Sequence, residues 1–299
     1  MKDTTFQVYR QRLAGVLLHI QRNLDEELAL EQLARIACFS PYHFHRIFRG
    51  MVGESVKDYI RRLRLERAAL RLKHSERSVT DIAFEAGFET LESFSRAFKA
   101  MGGLSPSQFR RQSGVFRSPA VSGVHYQDGA WLDSFQPDLR GEPMDVKIVT
   151  LQATQVAFVR HVGPYSQVGS AWEKVCMHLG RQGLLGSGTR FIGLCYDDPE
   201  VTAPDKIRYD ACVTVDDGFA GEGEVAVGTI GGGEYAVTTH VGPYDRLKDT
   251  YAALFGQWLP HSGRELRSEP SLEFYLTDPD STPPEEMLTD IYAPLKPRR

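Results

Sequence analysis

Apolar residues recur along the first part of the chain with a helical period, and along the last part with a period of two. Leu13, Val16, Leu17, Ile20 and Leu24 predict an amphipathic helix over 9–24. Leu30, Leu33, Ala34 and Ala37 predict a short helix over 30–37. After the turn Cys38-Phe39-Ser40, Ser40 is placed to cap a helix over 41–51 that has Pro41 at its first position. Two short helices joined by a tight turn make a helix-turn-helix. A longer helix over 56–72 connects this unit to helices over 79–86 and 90–101. There the pattern is written a second time: Leu33-Ala34, Phe44, Arg46, Phe48, Gly53 and Tyr59 return as Ile82-Ala83, Phe94, Arg96, Phe98, Gly103 and Phe109.

Beyond residue 145 a second duplication appears. The segment Val-Ala-Phe-Val-Arg-His-Val-Gly-Pro-Tyr at 156–165 returns at 235–244 as Tyr-Ala-Val-Thr-Thr-His-Val-Gly-Pro-Tyr, and Tyr196 with Asp198-Pro199 returns as Tyr275 with Asp278-Pro279. Each copy reads as a strand, a Gly-Pro-Tyr turn, a helix (166–179; 244–259) and further strands. The expected architecture is therefore multidomain. An all-α double helix-turn-helix domain over 1–112 is followed by an α+β domain over 145–299, built of two duplicated strand-helix-strand-strand modules. The segment 113–144, punctuated by Pro119, Pro137 and Pro143, is the linker, and Phe116, Tyr126, Trp131 and Phe135 are expected to anchor it.

Charge separates the same two parts. Residues 1–112 carry 19 basic and 13 acidic side chains, net +6, whereas the rest carries 16 and 26, net −10. A basic half joined to an acidic half points to a polyanionic partner for the first. In the helix over 41–51, Phe44, Ile47, Phe48 and Met51 form the inward stripe. Tyr42, His45, Arg46 and Arg49 lie opposite, with His43 beside them. Laid in a major groove, Arg46 could bond guanine, with Tyr42 and His45 reaching neighbouring base edges. A solvated helix face has the same composition, and it is the repeat that favours DNA. In the second copy the outer face is Glu92, Ser95, Arg96 and Lys99; Glu92 is repelled by phosphate and can pair with Arg96. The first copy is thus expected to read bases and the second to hold the backbone.

Cys38, Cys176, Cys195 and Cys212 form no paired spacing, the start of the chain is polar, and no apolar run approaches the length of a membrane span. A cytoplasmic protein with reduced thiols is expected. No dinucleotide or phosphate loop, metalloprotease motif or nucleophile elbow occurs, so no catalytic residue, cofactor or metal is assigned. His161 and His240 sit in the repeated turns, where a turn-stabilising role is expected. In the segment 271–276, alternation sends Leu272, Phe274 and Leu276 to one face and Glu273 with Tyr275 to the other. Glu273, whose counterpart at a constant offset of 79 is Leu194, could stand among Tyr275, Tyr196, Trp172 and Tyr251 in a cleft between the repeats. Aromatic walls around one carboxylate suit an organic cation, and a strand glutamate facing solvent is the plain alternative.

The run Ile82-Ala83 … Gly87-Phe88 … Phe94-Ser95-Arg96-Ala97-Phe98-Lys99 … Gly103-Leu104-Ser105-Pro106 … Phe109-Arg110 resembles the signature of AraC/XylS-type regulators. It departs from that pattern at Gly102 and Ala29. The resemblance implies two helix-turn-helices on one DNA face, with Tyr42, His45 and Arg46, and Glu92, Ser95 and Arg96, in the recognition positions. The His-Val-Gly-Pro-Tyr turns with Pro270-Ser271-Leu272-Glu273 … Tyr275 … Asp278-Pro279 resemble the GyrI-like small-molecule-binding domain of Rob-type and multidrug-sensing regulators. That resemblance implies a central groove with Glu273 at its acidic ligand-contacting position. Together they imply a transcription regulator whose partners are double-stranded DNA, a small-molecule effector and RNA polymerase. Some stand-alone GyrI-like proteins are thought to be hydrolases, so the alternative implied is a small-molecule hydrolase, with Glu273 as base, fused to a DNA-binding domain.

Overall fold

The computed structural model describes residues 2–112, 115–116, 118–127, 135–137, 144–199 and 202–298. Seven helices come first: α1 (Lys2–Arg22), α2 (Leu30–Ile36), α3 (Pro41–Val52), α4 (Val56–His74), α5 (Val79–Glu85), α6 (Leu91–Gly102) and α7 (Pro106–Arg111). The hydrophobic period placed the first six within a few residues except at the start of α1, and it passed over the short α7. Helices α3 and α6 stop in the same way. Gly53 (φ 83°) and Gly103 (φ 79°) adopt the left-handed conformation and donate back to Arg49 O and Lys99 O. Their starts differ: Thr90 Oγ1 accepts from Ser93 N, whereas Ser40, although at the N-cap, makes no capping hydrogen bond.

The remaining chain forms one eight-stranded antiparallel sheet with helices on one face. Its elements are β1 (Lys147–Leu151), β2 (Thr154–Val162), α8 (Gly169–Arg181), β3 (Phe191–Cys195), β4 (Arg208–Thr214), β5 (Ala226–Ile230), β6 (Gly233–Val241), α9 (Leu247–Ala253), α10 (Leu259–Ser262), β7 (Ser271–Tyr275) and β8 (Leu288–Pro294). Between α9 and α10 the helix widens into one π turn, Leu254–Trp258. The strand order, β1-β6-β8-β7-β3-β4-β2-β5, reads the same from either end when the two repeats are exchanged. The first strand of each repeat pairs with the other repeat, β1 on β6 and β5 on β2, so neither half is complete alone.

The axis of this symmetry passes through the β3–β7 pair, where Gly193 faces Glu273. That register corrects the expected equivalence. The repeat offset is 79 through the helices, but 80 through these strands, so the counterpart of Glu273 is Gly193 and not Leu194. On the helix-free side, Ile192, Leu272, Phe274, Tyr235 and Val237 make one core; α8 covers another with Ala171, Val175 and Leu179 against Tyr209, Ala211 and Val213.

The second helix-turn-helix has its own core of Phe94, Phe98, Phe109 and Leu65. The first does not: Phe44, Ile47, Phe48 and Met51 belong to the same cluster as Tyr251, Leu254, Phe255, Leu259 and Ile291 of the sheet domain. Three of the linker aromatics anchor as expected, Phe116 on the second module and Tyr126 and Phe135 on the first; Trp131 lies outside the described residues. Two cationic residues of α4, Arg62 and Arg67, are buried. Arg62 donates to Glu54, to Glu66 and to Val124 O at 2.9 Å, and Tyr126 N donates to Glu66 at 2.6 Å, so one buried ion cluster straps the linker to α4.

Candidate functional site

The helix-bearing face of the β3–β7 seam holds a row of phenolic groups around one carboxylate. Glu273 is 6% exposed. Its Oε1 accepts from Tyr251 Oη of α9 at 2.9 Å, and its Oε2 from Tyr275 Oη at 2.8 Å. The Tyr275 and Tyr209 hydroxyls meet at 2.9 Å, and Trp172 Nε1 of α8 donates to Tyr209 Oη at 3.1 Å. Burial, with the negative charge of Glu273 beside them, pushes the phenols of Tyr251 and Tyr275 well above the ordinary range; burial does the same for Tyr209, with Cys195 and then Glu273 adding to it. All three stay neutral donors. Gly193 makes the meeting possible: a Cβ there would lie 2.6 Å from Tyr209 Oη and 2.8 Å from Tyr275 Oη.

The structure therefore brings Glu273, Tyr275, Tyr251 and Trp172 together, and it adds Tyr209, which the sequence reading missed. Tyr196 is not among them. Its hydroxyl donates to Asp210 at 2.8 Å, beside Arg160, on the opposite face of the sheet. The cause is the slip of one residue between repeats, since a shift of one along a strand turns a side chain to the other face. His161 and His240 place Nε2 3.1 and 3.2 Å from the carbonyls of Pro164 and Pro243, inside their turns.

The other predicted site residues are divided between α3 and α6. On α6 the outer face is open: Glu92 and Arg96 are 80% and 76% exposed and lie 3.9 Å apart, with Lys99 exposed and Ser95 half-buried beside them. On α3 the expected outer face is buried instead. Arg46 Nη1 donates to Ser271 Oγ at 3.0 Å, and its guanidinium lies over the ring of Tyr251, 3.8 Å from the centroid. His45 Nδ1 stands 2.7 Å from Asp198 Oδ2. His43 stacks on Phe255, its pKa pushed down to about 3 by burial and by the neighbouring Arg46 charge. Tyr42 is half-buried edge-on to Tyr196, and Arg49 is half-buried. A cavity of about 370 Å³ opens at this junction, between Tyr9, Phe39, Tyr42 and His43 on one side and Glu265 and Leu266 on the other.

Comparison with known proteins now decides the family. Residues 144–296 match the GyrI-like small molecule binding domain, and residues 33–112 match a helix-turn-helix domain of the AraC type. The chain belongs to the GyrI-like family. Its GyrI-like half is similar to the probable transcriptional regulator YgiV of Escherichia coli K12, at 30% identity over 51% of this chain and 96% of that one. Its helical half is similar to the uncharacterized HTH-type transcriptional regulator YbfP of Bacillus subtilis, at 37% identity over 34% of this chain and 35% of that one. Among solved structures, the EcmrR–DNA complex in EcmrR-RPo aligns at a TM-score of 0.45 and 21% identity, over 51% of this chain and 57% of that chain. A GyrI-like half following an AraC-type helical half accounts for both duplications and for the opposite charges of the two parts.

Proposed function

We propose that this protein is a sequence-specific DNA-binding transcription regulator that responds to a small organic cation held at Glu273. The working limits are a DNA-binding domain over 1–112, a linker over 113–144 and an effector domain over 145–299. The observation that carries the proposal is the carboxylate itself. A buried negative charge is costly unless partnered, and neutral phenols only partly offset that cost. Aromatic faces of Trp172, Tyr251 and Tyr275 beside it favour a cation with an apolar periphery. Both Glu273 oxygens already accept hydroxyls, which supports binding over a role as general base.

The test uses tetraphenylphosphonium, whose charge is sheathed in aromatic rings, and neutral triphenylphosphine oxide. Calorimetry on the full chain should show the cation bound more tightly than the neutral compound. Glu273→Gln should remove that preference at a cost of roughly 2 kcal/mol. Equal binding of both compounds by the unsubstituted protein, or their chemical consumption, overturns the reading.

A further inference from the structure

One feature of α3 has no role in a helix that only reads DNA. Gly50 sits in the helix interior, where glycine costs about 1 kcal/mol relative to alanine. A Cβ on Gly50 would come within 2.6 Å of Gly256 Cα, and a Cβ on Gly256 would fall onto the Gly50 backbone. Two glycines thus let the backbone of α3 touch the backbone of the π turn. The duplication shows that this is particular to one repeat: at the helical offset of 79, the counterpart of Gly256 is Met177, which is 54% exposed. The close crossing sets Arg46 over Tyr251, the ring that bonds Glu273. Arg46 also bonds Ser271, two positions from Glu273 on the same face of β7. Asp198 of the first repeat holds His45.

We infer that Arg46 is a built-in occupant of the effector cleft: the cleft takes either this guanidinium or a small organic cation, and the cation releases α3 to DNA. The inference rests on the function proposed above and adds its regulation. The same guanidinium cannot lie over Tyr251 and reach a base edge. Cation and docked α3 therefore exclude each other, while cation and DNA favour each other. The second module, open in the docked form, keeps a hold on the backbone, and the ligand governs the base-reading module alone. The docked state is held by contacts in both repeats, so a ligand that wedges between α3 and α9 breaks them together. By linkage, whatever docking subtracts from DNA affinity it also subtracts from cation affinity.

Gly256→Ala tests this without touching Glu273 or the outer face of α3. A duplex selected from a random pool with this variant serves as the DNA probe, and thermal melts verify that the variant folds. Without ligand, Gly256→Ala should bind that duplex more tightly than the unsubstituted chain by a factor of roughly 5 to 150. It should bind tetraphenylphosphonium more tightly by a similar factor, and the cation should no longer alter its DNA affinity. In the unsubstituted chain the cation should raise DNA affinity and speed amide exchange along 41–52. Gly50→Ala, read by cation affinity alone, should reproduce the gain from the other side of the contact. If the cation binds both proteins equally and exchange along 41–52 is unchanged, the inference fails while the cation site stands. If neither protein binds the cation, the site fails first.

Discussion

The guanidinium of Arg46 lies 3.8 Å from the centre of the Tyr251 ring, while the hydroxyl of that ring donates to Glu273 at 2.9 Å. One tyrosine therefore joins Arg46, proposed to read DNA, to Glu273, proposed to bind the ligand, although the two lie 227 positions apart in the chain. Arg46→Gln should move the two activities in opposite directions. Cation affinity should rise because the cleft loses its competitor. Affinity for the selected duplex should fall by about 1–3 kcal/mol, with discrimination lost at one base position. Titrations of the same preparation with tetraphenylphosphonium and with DNA check both, and a fall in both would place Arg46 among the ligand contacts.

Gly193→Ala should damage the ligand site from beneath. The new methyl group meets the Tyr209 and Tyr275 hydroxyls, so one must move and the bond between them opens. A loss of roughly 1–3 kcal/mol in stability is expected from overpacking, together with weaker cation binding. Unaltered cation affinity would show that the hydroxyl chain does not shape the cleft.

His43 reports docking through its proton. In the docked form its pKa is about 3, because burial and the Arg46 charge both oppose protonation; released, it should return toward its ordinary 6.5. The released form thus takes up the extra proton. The contribution of His43 to docking is complete above 6.5 and is lost progressively as pH falls below it. Imidazole NMR should show no titration of His43 between pH 8 and 5 in the ligand-free protein, and a midpoint near 6.5 when tetraphenylphosphonium is present. A midpoint near 6.5 without ligand would mean that α3 is already free.

Glu92→Gln on the open α6 should strengthen DNA binding at low salt by the same factor on the selected duplex and on random duplex, because it removes repulsion from phosphate without adding base readout. Anisotropy titrations at two salt concentrations measure it. A change confined to the selected duplex would assign Glu92 a base contact.

Arg62→Ala should be the most destabilising of these changes, at about 3–5 kcal/mol, since it leaves buried Glu66 and half-buried Glu54 together without their cation and frees the Val124 carbonyl. Thermal unfolding measures the loss. Arg61→Ala on the exposed side of the same helix should cost little and serves as the control.

The sequence by itself determined the elements and the chemistry they carry. Helical and strand periods depend on neighbours a few positions away, so α2 to α6, the duplicated strands and the alternation that pairs Glu273 with Tyr275 were legible without a structure. The grouping of Trp172 and Tyr251 with them followed from the repeat. Tyr196 and Leu194 were misassigned because the repeat offset changes from 79 to 80 between helix and strand. A shift of one residue is nearly invisible in a sequence, yet it reverses the face of a strand. Tyr209 was missed because nothing local marks which strand tyrosine faces α8. Only the tertiary structure decided that the outer face of α3 is covered while that of α6 is open. Both helices are amphipathic with cationic outer faces. What separates them is a contact between residue 46 and residue 271, made possible by Gly50 meeting Gly256, and no local pattern encodes a meeting of residues 225 and 206 positions apart.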